Sequence, residues 1–412
     1  MPEKLKILFL SNRGLLPIRD GHTRRSFNIL KGLAEKHQVH FLSFYERSEE
    51  IESKNIGELE SFCEKVEFYP GPSKKIGISM LSRLLRSLLS LDPYTIWRHY
   101  SKAFLERVRQ LIASGEFDLV HCDILPLAYT VRSENGILRS ITDHDVSYLK
   151  CLRVGKESRN VLLKMFMYLE SWKLKRLESK VFNQVNLGIA VSELDKTILQ
   201  GLCPEGKFVV VENGVDVERF KPGGEVEPNT LVLVGRFDDY SNKQAIYYFL
   251  EKIYPGVKQR LPQIKLNLVG GGAEKKLKKF ASTDPSIRLL GFVDNPLVYI
   301  QRANVFIAPI LSGGGTRLKI LEAMSVGKAI VTTSMGCEGI EGTDNREYLI
   351  ADTPEVFAEK VVDVIKKQSL QSYLGYNARK LAEQRYDWPV ICSKIEDIYT
   401  SLNKNANRSI EF

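Results

Sequence analysis

The sequence predicts an α/β protein with two successive parallel sheets, and three observations carry that prediction. Short β-branched runs alternate with longer helical patterns along most of the chain. The alternation breaks once, at a Pro/Gly/acidic stretch, and then restarts. At 412 residues the chain has room for two or three domains of ordinary size. The first series is KILFLS (6–11), VHFLSF (39–44), VEFYP (66–70), FDLVHC (117–122), LRSIT (138–142) and VNLGIAV (185–191). The break is KPGGEVEPN, just after residue 220. The second series is TLVLVG (230–235), IKLNLVG (264–270), IRLLGF (287–292), NVFIAP (304–309) and AIVTT (329–333). Strands separated by helices pair in parallel through crossover connections, so each series reads as a Rossmann-like domain. The expected division is residues 1–215 and 216–388, followed by a last helical pattern within 389–412.

Composition narrows the class. Hydrophobic residues make up 43% and charged residues 26%, so a sizeable core can form. The six cysteines are scattered and no two form a C-x-x-C pair. That argues against a zinc site or a disulfide scaffold and favours a reducing, cytoplasmic compartment. The N-terminal MPEKLKILFLSNRG reads as a first strand rather than a signal peptide. No run of about 18 apolar residues is present, so no membrane-spanning helix is expected.

The net charge of +9 is concentrated. Residues 74–109 carry eight Lys/Arg against two Asp/Glu, and residues 150–180 carry nine against three. Both segments interleave this charge with Leu, Met and aromatic residues. In the first, Leu81, Leu84, Leu85, Leu88 and Leu89 fall on one helical face and Ser82, Arg83, Arg86, Ser87 and Ser90 on the other. Two readings stand. The segments dock on an anionic surface, such as an inner membrane leaflet, or they are helices packed on the sheet with solvated basic faces.

The strongest motif is APILSGGGTRLKILEAMSVGKAIVTT, residues 308–333. A strand ends at Pro309, three glycines follow, and an amphipathic helix starts near Thr316. A glycine loop feeding a helix N-terminus presents unpaired N–H groups beside the positive end of the helix dipole, which suits a phosphate. Gly314, Gly315, Thr316 and Arg317 are the candidates for holding that phosphate, Arg317 as a charge-assisted hydrogen-bond donor. Glu322 lies about two turns in, where a carboxylate can accept hydrogen bonds from two ribose hydroxyls.

This segment resembles the donor-binding motif of glycosyltransferase family 4, a retaining family of the GT-B fold. The resemblance covers about residues 5–400. FVVVENGVDVERF (208–220), LVLVGRFDD (231–239), LVGGG (268–272), GFVDN (291–295), LEAMSVGKAIVTT (321–333) and LGIAVSELDKTIL (187–199) all stand in family order. One departure matters. Many members carry Glu-x7-Glu, whereas here only the second glutamate, Glu322, is present and Gly314 takes the first position. The GGGTRLKILEAM form marks a sub-branch, and it implies a changed contact to the transferred sugar.

The resemblance also implies roles elsewhere. Arg236, after the first strand of the second series, and Lys243 would neutralise the donor diphosphate. Gly270 and Val293 would lie beside the donor. His144, in ITDHDVSYL, would give a ring N–H to the sugar. Gly21 would mark a glycine loop near the donor or acceptor, with Arg24 and Arg25 beside it, while His121 reads as structural. Asp238-Asp239 is not spaced as a metal motif, and the family is metal-independent.

The implied fold is GT-B: two Rossmann-like domains facing across a cleft, with the last helix crossing back to the first. The implied reaction moves a sugar from a nucleoside diphosphate to an acceptor hydroxyl, without a cofactor beyond that donor. It belongs to cell-surface polysaccharide or glycolipid synthesis. The expected partners are the nucleotide sugar, a saccharide or lipid-linked acceptor, and an anionic membrane surface, but no nucleic acid. A non-catalytic sugar-nucleotide or polysaccharide-binding module and a GT-B epimerase are the alternatives.

Overall fold

The computed structural model describes residues 4–18, 20–45, 53–72, 78–131, 137–158, 160–312 and 316–408. The chain divides into two compact units. Unit 1 is Met1–Glu212 with Ile391–Phe412, and unit 2 is Asn213–Val390.

Unit 1 is built on a seven-stranded sheet. Its strands are β1 (Lys6–Ser11), β2 (Gln38–Tyr45), β3 (Lys65–Pro70), β4 (Leu119–Cys122), β5 (Leu138–Asp143), β6 (Leu187–Ala190) and β7 (Phe208–Val210), in the order β3-β2-β1-β4-β5-β6-β7. Every pairing is parallel; Phe9 of β1 stands opposite Phe41 of β2 and His121 of β4. A parallel sheet is covered on both faces. The interior strand β1 is therefore largely apolar, and Ile7, Leu8, Phe9 and Leu10 are all fully buried.

Unit 2 repeats the plan with six strands. They are β8 (Thr230–Val234), β9 (Lys265–Val269), β10 (Ile287–Gly291), β11 (Val305–Ala308), β12 (Ala329–Thr332) and β13 (Leu349–Ile350), ordered β10-β9-β8-β11-β12-β13 and again parallel. Both sheets are Rossmann-like. In each, the winding reverses between the first strand and the fourth: β1 and β4 in unit 1, β8 and β11 in unit 2. Such a switch opens a crevice beyond the carboxyl ends of those strands, where open α/β sheets bind ligands.

The structural division falls three residues before the expected one. Val215 donates its N–H to the Tyr386 carbonyl at 2.7 Å, and Trp388 donates to the Val215 carbonyl at 3.3 Å, which ties this segment to unit 2. The last helix, Trp388–Arg408, begins in unit 2 and from Ile391 onward is part of unit 1. There Tyr399 is fully buried, its hydroxyl 2.6 Å from His121 Nδ1 and 2.8 Å from Ser140 Oγ. Lys394 pairs with Glu212 at 2.8 Å and Lys36 with Glu396 at 2.5 Å. His121 is thereby a structural residue of the buried layer, as its place inside β4 suggests.

Candidate functional site

The switch point of unit 2 gathers most of the residues singled out in the sequence. Gly235 and Arg236 leave the end of β8, and Gly270 leaves the end of β9. Gly270 adopts φ +146°, and a β-carbon there would lie 1.8 Å from the Gly235 carbonyl oxygen. This glycine is required by the close approach of two strand ends, whatever binds beside them. Val293, just past β10, is half-buried and packs on the unit 2 core.

Gly314 and Gly315, with Gly313, lie outside the described residues. The structure resumes at Thr316, which is buried, and Arg317, which caps the helix Leu318–Ser325 through its backbone. Glu322 sits on the second turn, 9% exposed. The residue entering the glycine loop is tied to the neighbouring helix Tyr240–Tyr248, since Ser312 Oγ donates to Gln244 Oε1 at 2.7 Å. In the first turn of the glutamate-bearing helix, the Lys319 ammonium donates to the side-chain oxygen of Asn242.

The two expected cations sit differently. Arg236 makes a two-point ion pair with Asp238 (Nη2–Oδ2 2.7 Å, Nε–Oδ1 3.2 Å) and is 76% exposed. Lys243 pairs with Glu274 at 2.7 Å, and Tyr247 on the same helical face donates to the same carboxylate. Asp239 accepts from the Asn242 N–H as the helix cap. Each half of the Asp238-Asp239 pair thus has its own local role.

In unit 1 the switch point is occupied by one buried carboxylate and the histidines around it. Asp123 follows β4 and is 2% exposed. Ser26 Oγ donates to its Oδ2 at 2.6 Å, and His22 Nε2 lies 3.1 Å from the same oxygen. His144, just after β5, donates from Nε2 to the Asp123 backbone carbonyl at 2.7 Å and lies 3.5 Å from Oδ1. The His22 and His144 rings stack at 4.3 Å with 24° between their planes. Burial pushes the Asp123 carboxyl up, but the neighbouring His121, His144 and His22 outweigh it and hold the group well below the usual carboxylate range. Burial, then the neighbouring His22, holds His144 below its ordinary value, so it is neutral at pH 7.

His144 is expected to give a ring N–H to the sugar. Its Nε2–H is spent on the Asp123 carbonyl, so the remaining nitrogen is Nδ1, an acceptor for a hydroxyl rather than an N–H donor. The ligand atoms of His22, Asp123 and His144 lie within 4.8 Å of one another, close enough for a shared metal ion. Both histidine Nε2 atoms are already directed at Asp123, however. Gly21 opens the helix Gly21–Lys36 directly after its cap, Asp20, whose side chain accepts from the Thr23 N–H at 2.8 Å. Arg25 turns inward: it is buried and donates to the carbonyls of Glu212 (2.5 Å) and Val211 (2.7 Å). Burial lowers its pKa to about 10 against the pull of Asp123 and Glu212, so it stays charged and anchors the end of unit 1.

Sequence reasoning passes over His22, Asp123, Asn242 and Lys319. Asp123 stands two residues after His121 in VHCD, and a carboxylate directly after the fourth strand is the available signal.

Known proteins share both halves of this plan. Residues 19–219 match the family described as Glycosyltransferase Family 4, and residues 228–367 match that described as Glycosyl transferases group 1. A Klebsiella pneumoniae protein, described as an uncharacterized 44.6 kDa protein in the cps region, is 26% identical over 382 residues, spanning 87% of this chain and 90% of its own. The phosphatidyl-myo-inositol mannosyltransferase of Mycolicibacterium smegmatis is 25% identical over 321 residues, spanning 74% and 76%. Among solved structures, the sucrose-phosphate synthase of Thermosynechococcus elongatus superposes with a TM-score of 0.71 at 16% identity, over 97% of this chain and 99% of that one. Two glycosyltransferase matches in sequence order, on two Rossmann-like units, make this chain a member of the GT-B glycosyltransferase superfamily.

Proposed function

We propose that the chain is a retaining, metal-independent hexosyltransferase of glycosyltransferase family 4, in the sub-branch marked by GGGTRLKILEAM. It moves a sugar from a nucleoside diphosphate to the hydroxyl of a saccharide or lipid-linked acceptor in cell-surface polysaccharide or glycolipid synthesis. The observation that supports this reading is the unit 2 switch point, where Arg236 follows the end of β8 and the start of the glutamate-bearing helix lies beside it, Lys319 against Gly235. Glu322 accepts hydrogen bonds from the ribose. The bond from the sugar carbon to the diphosphate oxygen breaks as the acceptor oxygen bonds that carbon on the same face, and the acceptor proton passes to the leaving phosphate. Arg236 and the amides at Thr316 and Arg317 stabilise the growing charge on that phosphate. His144, with Nδ1 open, accepts from a sugar hydroxyl.

Unit 1 supplies the support for a membrane-borne acceptor. As an ordinary packing element the helix Ile78–Leu89 would bury its leucines. Instead Ser87 is buried, and Leu81, Leu85, Leu88 and Leu89 are exposed, Leu89 at 89%. The N-terminal part of the helix Val161–Phe182 likewise exposes Val161, Leu162 and Met165. The two helices meet where Ser87 Oγ donates to Glu170 Oε1 (3.3 Å) and Lys173 donates to the Ser87 carbonyl. Among the described residues no helix is long and apolar enough to cross a bilayer. Exposed leucines among Arg83, Arg86 and Lys164 suit a helix lying in the plane of an anionic leaflet.

The test combines both parts. The chain is expected to co-sediment with phosphatidylglycerol vesicles at low salt and to leave them at about 0.5 M salt, where the Debye length is only a few Å. Charge reversal at Arg83 and Arg86 should weaken the association without lowering the slow release of nucleoside diphosphate from the donor. Indifference to anionic vesicles at low salt rules out the membrane part. Absence of nucleotide release from UDP-, GDP- and ADP-sugars alike rules out the transferase part.

A further inference from the structure

Unit 2 holds two lysines drawn into the protein, Lys319 half-buried and Lys328 buried, and the contrast between them is informative. Burial lowers both to about 8. Lys328 serves the fold, donating to the backbone carbonyls of Gln301 (2.5 Å) and Ala303 (2.8 Å). Lys319 has no such seat. Among the described residues it forms no ion pair, and its hydrogen-bond partner is the neutral side chain of Asn242. A β-carbon on Gly235 would lie 3.0 Å from the Lys319 ammonium nitrogen, which places that nitrogen at the end of β8. After burial, the strongest influence on Lys319 is the like charge of Arg317; Asp239 and Glu322 pull the other way, but less.

A half-buried cation at a switch point beside a second cation, with no carboxylate in contact among the described residues, is a costly arrangement without an anion beside it. It becomes favourable when an anion sits against it. Lys243 is differently placed. It shares a helical face with Tyr247, and both are engaged with Glu274 on the side of the helix Lys275–Thr283. The next residue of its helix, Gln244, instead faces Ser312 at the mouth of the glycine loop.

We propose that Lys319 is the diphosphate-binding lysine of the donor site, the role that position in the sequence suggests for Lys243. This rests on the donor reading given above. The ammonium contacts the phosphates of the bound nucleotide from the floor of the site, while Asn242 holds it in place.

The test is calorimetric titration of the full chain with UDP, GDP and ADP, using for the variants whichever the wild type binds. Lys319→Gln removes the charge while keeping an N–H for Asn242, and Lys319→Met serves if the glutamine variant melts early. Lys319→Gln is expected to weaken diphosphate binding about 10- to 100-fold with an unchanged melting temperature, while Lys243→Ala stays within about twofold. At pH 8.5 the wild type should take up protons on binding, read from heats in buffers of different ionisation enthalpy, and Lys319→Gln should take up fewer. Wild-type affinity in Lys319→Gln, loss carried by Lys243→Ala instead, or undiminished proton uptake in Lys319→Gln each overturns the proposal. Failure of the wild type to bind any of the three nucleotides overturns the donor reading itself, and the lysine assignment with it.

Discussion

Glu322→Ala is expected to weaken binding of the nucleoside diphosphate by about ten- to a hundredfold and to leave the protein folded. The size follows from the chemistry of the contact. A carboxylate accepting from hydroxyls makes charge-assisted hydrogen bonds of roughly 1.5–3 kcal/mol each. Glu322 is 9% exposed, on the second turn of a helix whose next-turn residues are core. Its backbone carbonyl accepts from the Val326 N–H at 3.0 Å, and alanine preserves that bond. The side chain is therefore removable at little cost to the helix. Titration calorimetry together with a melting curve separates the two effects. Equal affinity in wild type and variant would mean that the ribose is held elsewhere.

Arg236→Ala should act on turnover more than on ground-state affinity. In the free protein its guanidinium pairs with Asp238 in full view of solvent, and such exposed pairs contribute little to stability. The arginine can exchange that partner for a phosphate at small cost. The charge it meets grows as the glycosidic bond breaks, so its contribution belongs mainly to the transition state. A loss in kcat of about 100- to 1000-fold, with donor affinity changed far less, is the expected pattern. Excess EDTA should leave wild-type turnover intact. Loss of activity with EDTA and recovery with manganese would transfer the role of Arg236 to a metal ion.

Much of the fold is legible in the sequence because parallel strands buried on both faces are long apolar runs, and 11 such runs are visible. Two strands are not. β7 and β13 have three and two residues, too few to show any period. The domain division is displaced by three residues because backbone hydrogen bonds at Val215, rather than composition, set it. The donor helix and Glu322 are legible because loop glycines and helix position are local properties. The partner of each charge is not, because it depends on where strand ends converge. Lys243 and Lys319 look alike in sequence; only the fold shows one beside Glu274 and the other against Gly235. Asp123 escapes notice for the same reason: its partners Ser26, His22 and His144 come from two other segments of the chain. The helix Ile78–Leu89 shows the reverse difficulty. Its amphipathic pattern is plain, but a period cannot say which side chains a neighbour will cover, and here Ser87 is buried while Leu81, Leu85, Leu88 and Leu89 are exposed.

The most direct measurement is a thermal-shift screen of the full chain against UDP-, GDP- and ADP-sugars with EDTA present. A donor at a hundredfold excess over its Kd adds roughly 2.7 kcal/mol to the stability of the state that binds it. One of the three donors should raise the melting temperature of the wild type by several degrees, and the same donor should raise that of Glu322→Ala markedly less. A flat response to all three, or an equal rise in wild type and Glu322→Ala, would contradict a nucleotide-sugar site at the switch point of unit 2.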